Sequence, residues 1–271
     1  MDSDSSDYEP EYEIEQCIIG PRENNTHQNK KIELDILSVL PPPLEYLSLL
    51  RSKEQEISGR KVWCGSILLS NYLLENRTIL KGKRILELGC GTGILGMAMS
   101  SLFLGESDDI GPKCIAMTDG DKEALKLLYE NIRNNNIPSN ATDATRLYWG
   151  DEEEYTSFSD WCTNKWPRLW EDKNVTFDTI IAGDVMYKSE LPILFFQTIK
   201  RFLSPEGILY LCHVPRSTVT HDIISSTARK EGFCLETVSV FNLENIERND
   251  CPLDDFQRAV LYKISFNHTT K

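Results

Sequence analysis

The chain of 271 residues is short of positive charge: 29 lysines and arginines stand against 42 aspartates and glutamates, a formal net charge of −13. Affinity for nucleic acid rests on lysine and arginine displacing counterions from phosphate, so this surface is read as having no nucleic-acid partner and as better suited to a basic one. Long apolar runs are also missing; none approaches the roughly 18 to 20 residues of a membrane span. The eight cysteines, at 17, 64, 90, 114, 162, 212, 234 and 251, include no CxxC pair, and several lie in apolar runs as small hydrophobes, the usage of a reducing compartment. His27, His221 and His268 share no ligand spacing with each other or with a cysteine, so no metal is expected. The first fifteen residues, MDSDSSDYEPEYEIE, hold seven acids and no base, the reverse of a signal or transit peptide. These absences predict a soluble protein of the cytoplasm, and of the nucleus as well, with no membrane association; a monomer is expected. Internal repeats are absent too.

What is present is periodicity, with 40% apolar residues to fill a core. Residues 1–10 read as an acidic disordered tail and 11–62 as an N-terminal extension. Within it YEIEQCI (12–18) and KIELDIL (31–37) alternate with the period of half-buried strands and can close as a hairpin. Three prolines, 41 to 43, then break the chain before the apolar LEYLSLL.

From residue 63 to 271, a single domain, helical and strand patterns alternate. Helices are predicted over 63–76, 92–103, 122–135, LPILFFQTIKRFL and HDIISSTARKEG; strands over 84–88, 114–119, 146–149, 177–187, 207–214, CLETVSV and 258–266. That order predicts an α/β three-layer sandwich, a Rossmann-like seven-stranded, mostly parallel sheet. The last two strands have no helix between them and predict an antiparallel edge pair. In such sheets ligands sit beyond the carboxyl ends of the strands, near the switch point.

The stretch ILELGCGTGILG (85–96) places four glycines between a strand and a helix. Glycine permits positive φ and removes the Cβ that would hold a ligand off the backbone, and the helix that follows adds partial positive charge at its N-terminus. A nucleotide-type ligand is implied. Gly91, Gly93 and Gly96 also fit the GxGxxG dinucleotide pattern. Glu87 stands just before the glycines, where a carboxylate repels a pyrophosphate and welcomes an ammonium and a sulfonium; S-adenosylmethionine carries both. A carboxylate there can alternatively brace the loop. Asp119 ends the next strand at the distance expected for a partner of ribose hydroxyls. It can alternatively cap the following helix, although Asp121 lies closer to that role.

These residues resemble the seven-strand (class I) S-adenosylmethionine-dependent methyltransferases, and within them methyltransferase family 16, a protein-lysine methyltransferase group. The resemblance runs from about 63 to 215 and is carried by V62-W63, E87-LGCGTG-ILG, T118-D119, the L125, L128, N131, N136 run, L147-Y-W149-G150 and I181-A-G183-D184-V-M-Y187. It implies that S-adenosylmethionine is the cofactor, with Trp63 at its amino-acid end, Gly89, Cys90 and Gly91 along the methionine part, Asp119 on the ribose, Trp149 against adenine and Gly183 in the same pocket. Asp184 and Tyr187 match the D-x-x-Y signature and are the catalytic pair the resemblance implies, orienting the lysine amine of a protein substrate with a basic segment.

The chain departs from the family at Gly183, more often alanine, and at Cys64-Gly65, more often Pro-Ala, which predicts a slightly roomier cofactor pocket. The acidic stretch 151–174 reads as an insert whose Trp161, Trp166 and Trp170 either line a substrate groove or pack on themselves in a surface loop. His213 and Arg216 fall near the predicted mouth as candidate substrate contacts. Other readings stay open: a nucleobase methyltransferase, from the likeness of DVMY to the (D/N)PPY motif; a dinucleotide-dependent oxidoreductase, from the glycines and Asp119; and a binding module on the same fold.

Overall fold

The computed structural model describes residues 10–21, 31–40, 58–104, 111–171, 173–215, 218–238, 246–247 and 249–268. The acidic tail, except Pro10, the LEYLSLL segment and Arg216 lie outside the described residues.

Two strands, β1 (Tyr12–Ile19) and β2 (Ile32–Val39), pair antiparallel with Tyr12 opposite Val39 and Ile19 opposite Ile32. Their alternation buries Cys17, Ile19, Ile32, Leu34 and Ile36 on one face. The main sheet begins after α1 (Cys64–Glu75) with β3 (Arg84–Leu88), α2 (Ile94–Leu102), β4 (Cys114–Asp119), α3 (Lys122–Asn134) and β5 (Thr142–Arg146). It continues through α4 (Glu152–Lys165), β6 (Phe177–Gly183), α5 (Leu191–Phe202), β7 (Leu203–His213), α6 (His221–Lys230), β8 (Phe233–Thr237), α7 (Leu253–Arg258) and β9 (Val260–Phe266). The seven strands lie in the order β5-β4-β3-β6-β7-β9-β8. All neighbours are parallel except β9, which runs antiparallel between β7 and β8. The expected antiparallel edge is therefore present, with the short α7 in a connection that shows no helical signal.

Strand order reverses between β3 and β6, and a crevice opens above such a reversal. The central strands are apolar on both faces because both are covered. One core packs Ile67, Leu68, Leu95 and Met97 of α1 and α2 with Ile85 and the inner face of the hairpin. The other packs Phe158, Phe177, Phe195 and Phe202 of α4, β6 and α5 with Leu86 and Leu88.

Besides β6, which ends at Gly183 and not at the expected 187, two segments differ from expectation. The third strand of the domain is not 146–149 but β5, where Thr142 and Ala144 point into the core and Ile115 to Asp119 pair with Thr142 to Arg146. Leu147 to Trp149 leave the sheet and turn toward the crevice. The stretch 151–174 is neither groove nor surface loop. Parallel strands cannot be joined by a tight turn and need a crossover, and α4 is that crossover. Asp151 caps it by accepting from Glu153 N and Glu154 N at 2.9 and 3.1 Å. Trp166 and Trp170 are core residues, each donating its indole N–H to a carbonyl, of Asn140 (2.9 Å) and Thr176 (3.1 Å). Trp161 stacks on Phe158.

Asparagine side chains close the free edges of the hairpin. Asn135 accepts from Asp35 N at 2.9 Å and donates to Asp35 O at 2.8 Å; Asn131 does the same for Leu37, at 2.7 and 3.1 Å. The match is metric: four residues of helix advance about 6 Å and two of strand about 6.7 Å. Asn131 also donates to Thr92 O in the glycine loop at 3.0 Å. On the other edge Asn249 accepts from Ile18 N and donates to Ile18 O, at 2.8 and 3.2 Å.

Candidate active site

A cavity of about 980 Å³ opens above the carboxyl ends of β3, β4 and β6. Of the ten residues that the sequence nominates, nine line it: Trp63, the loop residues Gly89, Cys90 and Gly91, then Asp119, Trp149, Gly183, Asp184 and Tyr187.

The floor is the glycine loop. Gly89, Gly91 and Gly93 have φ of 67°, 52° and 87°, the left-handed region that a side chain disfavours. A Cβ on Gly91 would stand 2.9 Å from the carbonyl oxygen of Gly59, so the loop and the turn Ser58–Arg60 approach backbone to backbone. Cys90 N donates to Thr118 O at 2.9 Å and fixes the loop to the end of β4.

Asp119 sits beside that loop, its two oxygens accepting from Gly91 N and Asp121 N, both at 2.9 Å. Burial raises its carboxyl to about 6, against the opposing pull of these amides. The capping role belongs to Asp121, which accepts from Glu123 N at 2.9 Å and meets Arg60 Nε at 3.3 Å. Asp119 keeps lone pairs for a hydroxyl-bearing ligand. Trp149, half-buried and held edge-on by Phe195 at 5.1 Å, stands on the same wall as Leu147 and Leu194.

Glu87 is the exception. Its side chain is buried and does not line the cavity. Side chains alternate along a strand, so Glu87 shares the face of Ile85 and projects toward α2, where it accepts the backbone N–H of Gly96. Its Oε2 has no hydrogen-bond partner among the described residues, and burial, with the nearby charge of Asp119, holds the carboxyl well above the ordinary carboxylate range. The expectation that this acid faces a cationic cofactor tail is corrected: it anchors the first turn of α2 beneath the loop, while the crevice beside it stays open.

Gly183 also needs revision. A Cβ there would come within 2.7 Å of Ser66 N and 2.6 Å of Ser66 Cα, and one on Gly65 within 2.7 Å of Asp184 N. The missing methyls do not enlarge the pocket; they let the start of α1 lie against the end of β6, where Ser66 Oγ donates to Gly183 O at 3.3 Å. Asp184 follows directly, buried, with φ of 58° and its N–H on Cys212 O at 2.8 Å. A non-glycine residue in the left-handed region is held there by its surroundings and is common at functional positions. Tyr187 stands at the mouth, 36% exposed, with Lys188 Nζ 5.6 Å from its ring centre.

His213 is fully buried, its Nε2 3.2 Å from Val219 O, and takes no part in the cavity, contrary to the expected substrate contact. Among the described residues no group of three or more histidines, cysteines or acids is placed to hold a metal. Sequence reasoning missed the turn at 58–61, which lines the cavity where Gly59 packs against Gly91. Its polar SGRK composition has no periodicity, and only its packing on Gly91 reveals it.

A family described as lysine methyltransferase matches residues 45–230. EEF1A lysine methyltransferase 3 of Xenopus tropicalis is 27% identical over 55% of this chain and 55% of its own length. Protein-lysine N-methyltransferase EFM3 of Chaetomium thermophilum is 24% identical over 79% of this chain and 61% of its own. Protein N-lysine methyltransferase METTL21A of Danio rerio is 27% identical over 55% and 58%. The chain thus spans between 55% and 61% of the length of these relatives. Among solved structures SMU.776 in complex with SAH aligns with a TM-score of 0.53 at 13% identity, covering 85% of this chain and 53% of that one, a likeness of fold.

Proposed function

Because the chain belongs to the lysine methyltransferase family, whose match spans residues 45–230, we propose that it is an S-adenosylmethionine-dependent protein-lysine N-methyltransferase. One observation carries the reading: a cradle for a nucleoside, built from the glycine loop, Asp119 and Trp149, shares a single cavity with an acid and a phenol, Asp184 and Tyr187. The named lysine methyltransferases among the relatives support the substrate class, and the SAH held by SMU.776 supports the cofactor class.

The donor set fits that cofactor. Gly89, Cys90 and Gly91 offer bare backbone, Asp119 an acceptor for ribose hydroxyls and Trp149 an aromatic face for a purine. With Glu87 withdrawn, discrimination against a diphosphate falls to the acids that do line the cavity, Asp119, Asp121, Asp184 and Glu190, which outnumber Arg60, Lys61 and Lys188. When bound, the cofactor supplies an electrophilic methyl group on a cationic sulfur.

The rest is the work of this chain. Asp184 attracts the ammonium of an entering lysine, whose reference pKa of about 10.4 requires that a proton leave first. Displacement of water by the bound amine beside the cationic sulfur disfavours its charged form and promotes that loss. Tyr187 steers the neutral amine, so catalysis is chiefly positioning. The charge of −13 favours a substrate with a basic segment, an attraction that salt weakens. The same charge disfavours nucleic acid, and we place the monomeric enzyme in the cytoplasm and nucleus.

The test is transfer of a labelled methyl group from the cofactor into a cell lysate, followed by mapping of the modified residue. Label on a protein lysine, lost with Asp184→Asn and reduced with Tyr187→Phe at unchanged cofactor affinity, is the expected result. Label removed by nuclease would favour the nucleobase reading, and calorimetry showing NAD(P) binding without S-adenosylmethionine binding would favour the oxidoreductase.

A further inference from the structure

We infer that Arg60 receives the carboxylate at the amino-acid end of the cofactor, an inference that rests on the cofactor reading above. Of the two residues placed at that end, Glu87 is the one expected to meet the ammonium, and only Trp63 carries a donor for the carboxylate. Glu87 is turned into the protein beneath the loop, and the indole N–H of Trp63 is donated to Ser58 O at 2.7 Å. The cofactor's carboxylate therefore needs another donor, and it enters a cavity already lined by four acids. An anion there is repelled unless a cation meets it.

Three cations line the cavity. Lys188 stands at the substrate mouth beside the ring of Tyr187. Lys61 is half-exposed, a hydrated point charge on a flexible stem. Arg60 is buried, only 9% exposed, and its position is fixed. It belongs to the turn whose Gly59 carbonyl abuts Gly91, three residues before Trp63, and so lies beside the part of the loop that the resemblance gives to the methionine portion.

Its bonding points the same way. A guanidinium has five N–H donors in a planar fork suited to two parallel bonds with a carboxylate. Among the described residues Arg60 makes one ion pair, through Nε to Asp121 Oδ2 at 3.3 Å. That contact holds the stem and leaves the two terminal amines for a second carboxylate. A buried charge with one long contact is incompletely compensated, and a second carboxylate completes it. The linkage continues into the nucleoside half: Asp121 N donates to Asp119 Oδ1, and Gly91 N to Asp119 Oδ2. One network thus spans from the loop, through the ribose acid, to the arginine.

The experiment is calorimetry of the full chain with S-adenosylhomocysteine and with its decarboxylated analogue, which lacks only the carboxylate. Wild type should bind the former at least about tenfold more tightly, as expected for a charge-assisted pair. Arg60→Met should weaken S-adenosylhomocysteine about tenfold and the analogue less than about twofold, closing the gap, while Arg60→Lys restores part of it. Equal weakening of both ligands would show that Arg60 acts only through Asp121 and Asp119, and would overturn the assignment; so would no change in either. Should Arg60→Met fail to fold by circular dichroism, wild type and Arg60→Lys still decide, because a wild type indifferent to the carboxylate refutes the inference alone. Wild type that binds neither ligand sinks the cofactor reading itself.

Discussion

Glu87→Gln keeps the shape of a buried side chain and removes its proton chemistry. In the folded protein the carboxyl lies well above its ordinary value of 4.5, because burial penalises the anion and Asp119 adds like charge, while the N–H of Gly96 pulls the other way. The folded state therefore keeps a proton that the unfolded chain has released. Stability from this group is full below the ordinary value and is lost as pH rises toward the folded one, at about 1.4 kcal/mol per pH unit. As pH rises from 5.5 wild type should lose stability relative to Glu87→Gln at up to that slope, each pH unit lowering the melting temperature of a chain of this size by about 3 to 6 °C. Cys90 and Asp119, the titratable neighbours, are common to both proteins. The assay is urea unfolding of the two proteins at pH 5.5, 6.5 and 7.5, with S-adenosylhomocysteine affinity measured at each. Parallel pH slopes, or a tenfold affinity loss in a variant of unchanged stability, would refute this account of the carboxyl and return Glu87 to the ligand.

Gly183→Ala should destabilise by about 1–3 kcal/mol, because the new methyl meets backbone atoms of Ser66 that cannot swing away; urea unfolding measures it, and weaker cofactor binding should accompany it as α1 shifts with Trp63. Trp170→Ala should cost about 3–5 kcal/mol of stability while methyl transfer per folded molecule is kept, since the ring is core; lost turnover at full stability would revive the groove reading. Asn131→Ala strands Leu37 N, Leu37 O and Thr92 O and should cost about 2–4 kcal/mol, with faster hydrogen exchange at the Leu37 amide.

Much of this architecture is legible in the chain. The continuous apolar run of β6, the alternation of β1 and β2, and the glycines set between a strand and a helix are local signals of period and turn chemistry, and local physics decides them. What escapes is set by tertiary context. The direction of Glu87 depends on which face of β3 receives α2, which no window around residue 87 contains. The acids and tryptophans of α4 look like an elaboration because its buried face, Tyr155, Phe158 and Cys162, is interleaved with charge. Arg60 is a single basic residue in a turn, and its significance comes from Asp121, sixty-one positions away.

The paired asparagines of α3 have a wider consequence. An asparagine side chain sets an acceptor beside a donor, so Asn131 and Asn135 each hold the N–H and C=O of one strand residue, and a one-residue slip of β2 would break both pairs and turn Leu34 and Ile36 outward. On the far flank Asn249 holds the N–H and C=O of Ile18 in the same way. And since the amide that grips Leu37 also grips Thr92, the amino-terminal strands and the loop beneath the nucleoside cradle share one anchor.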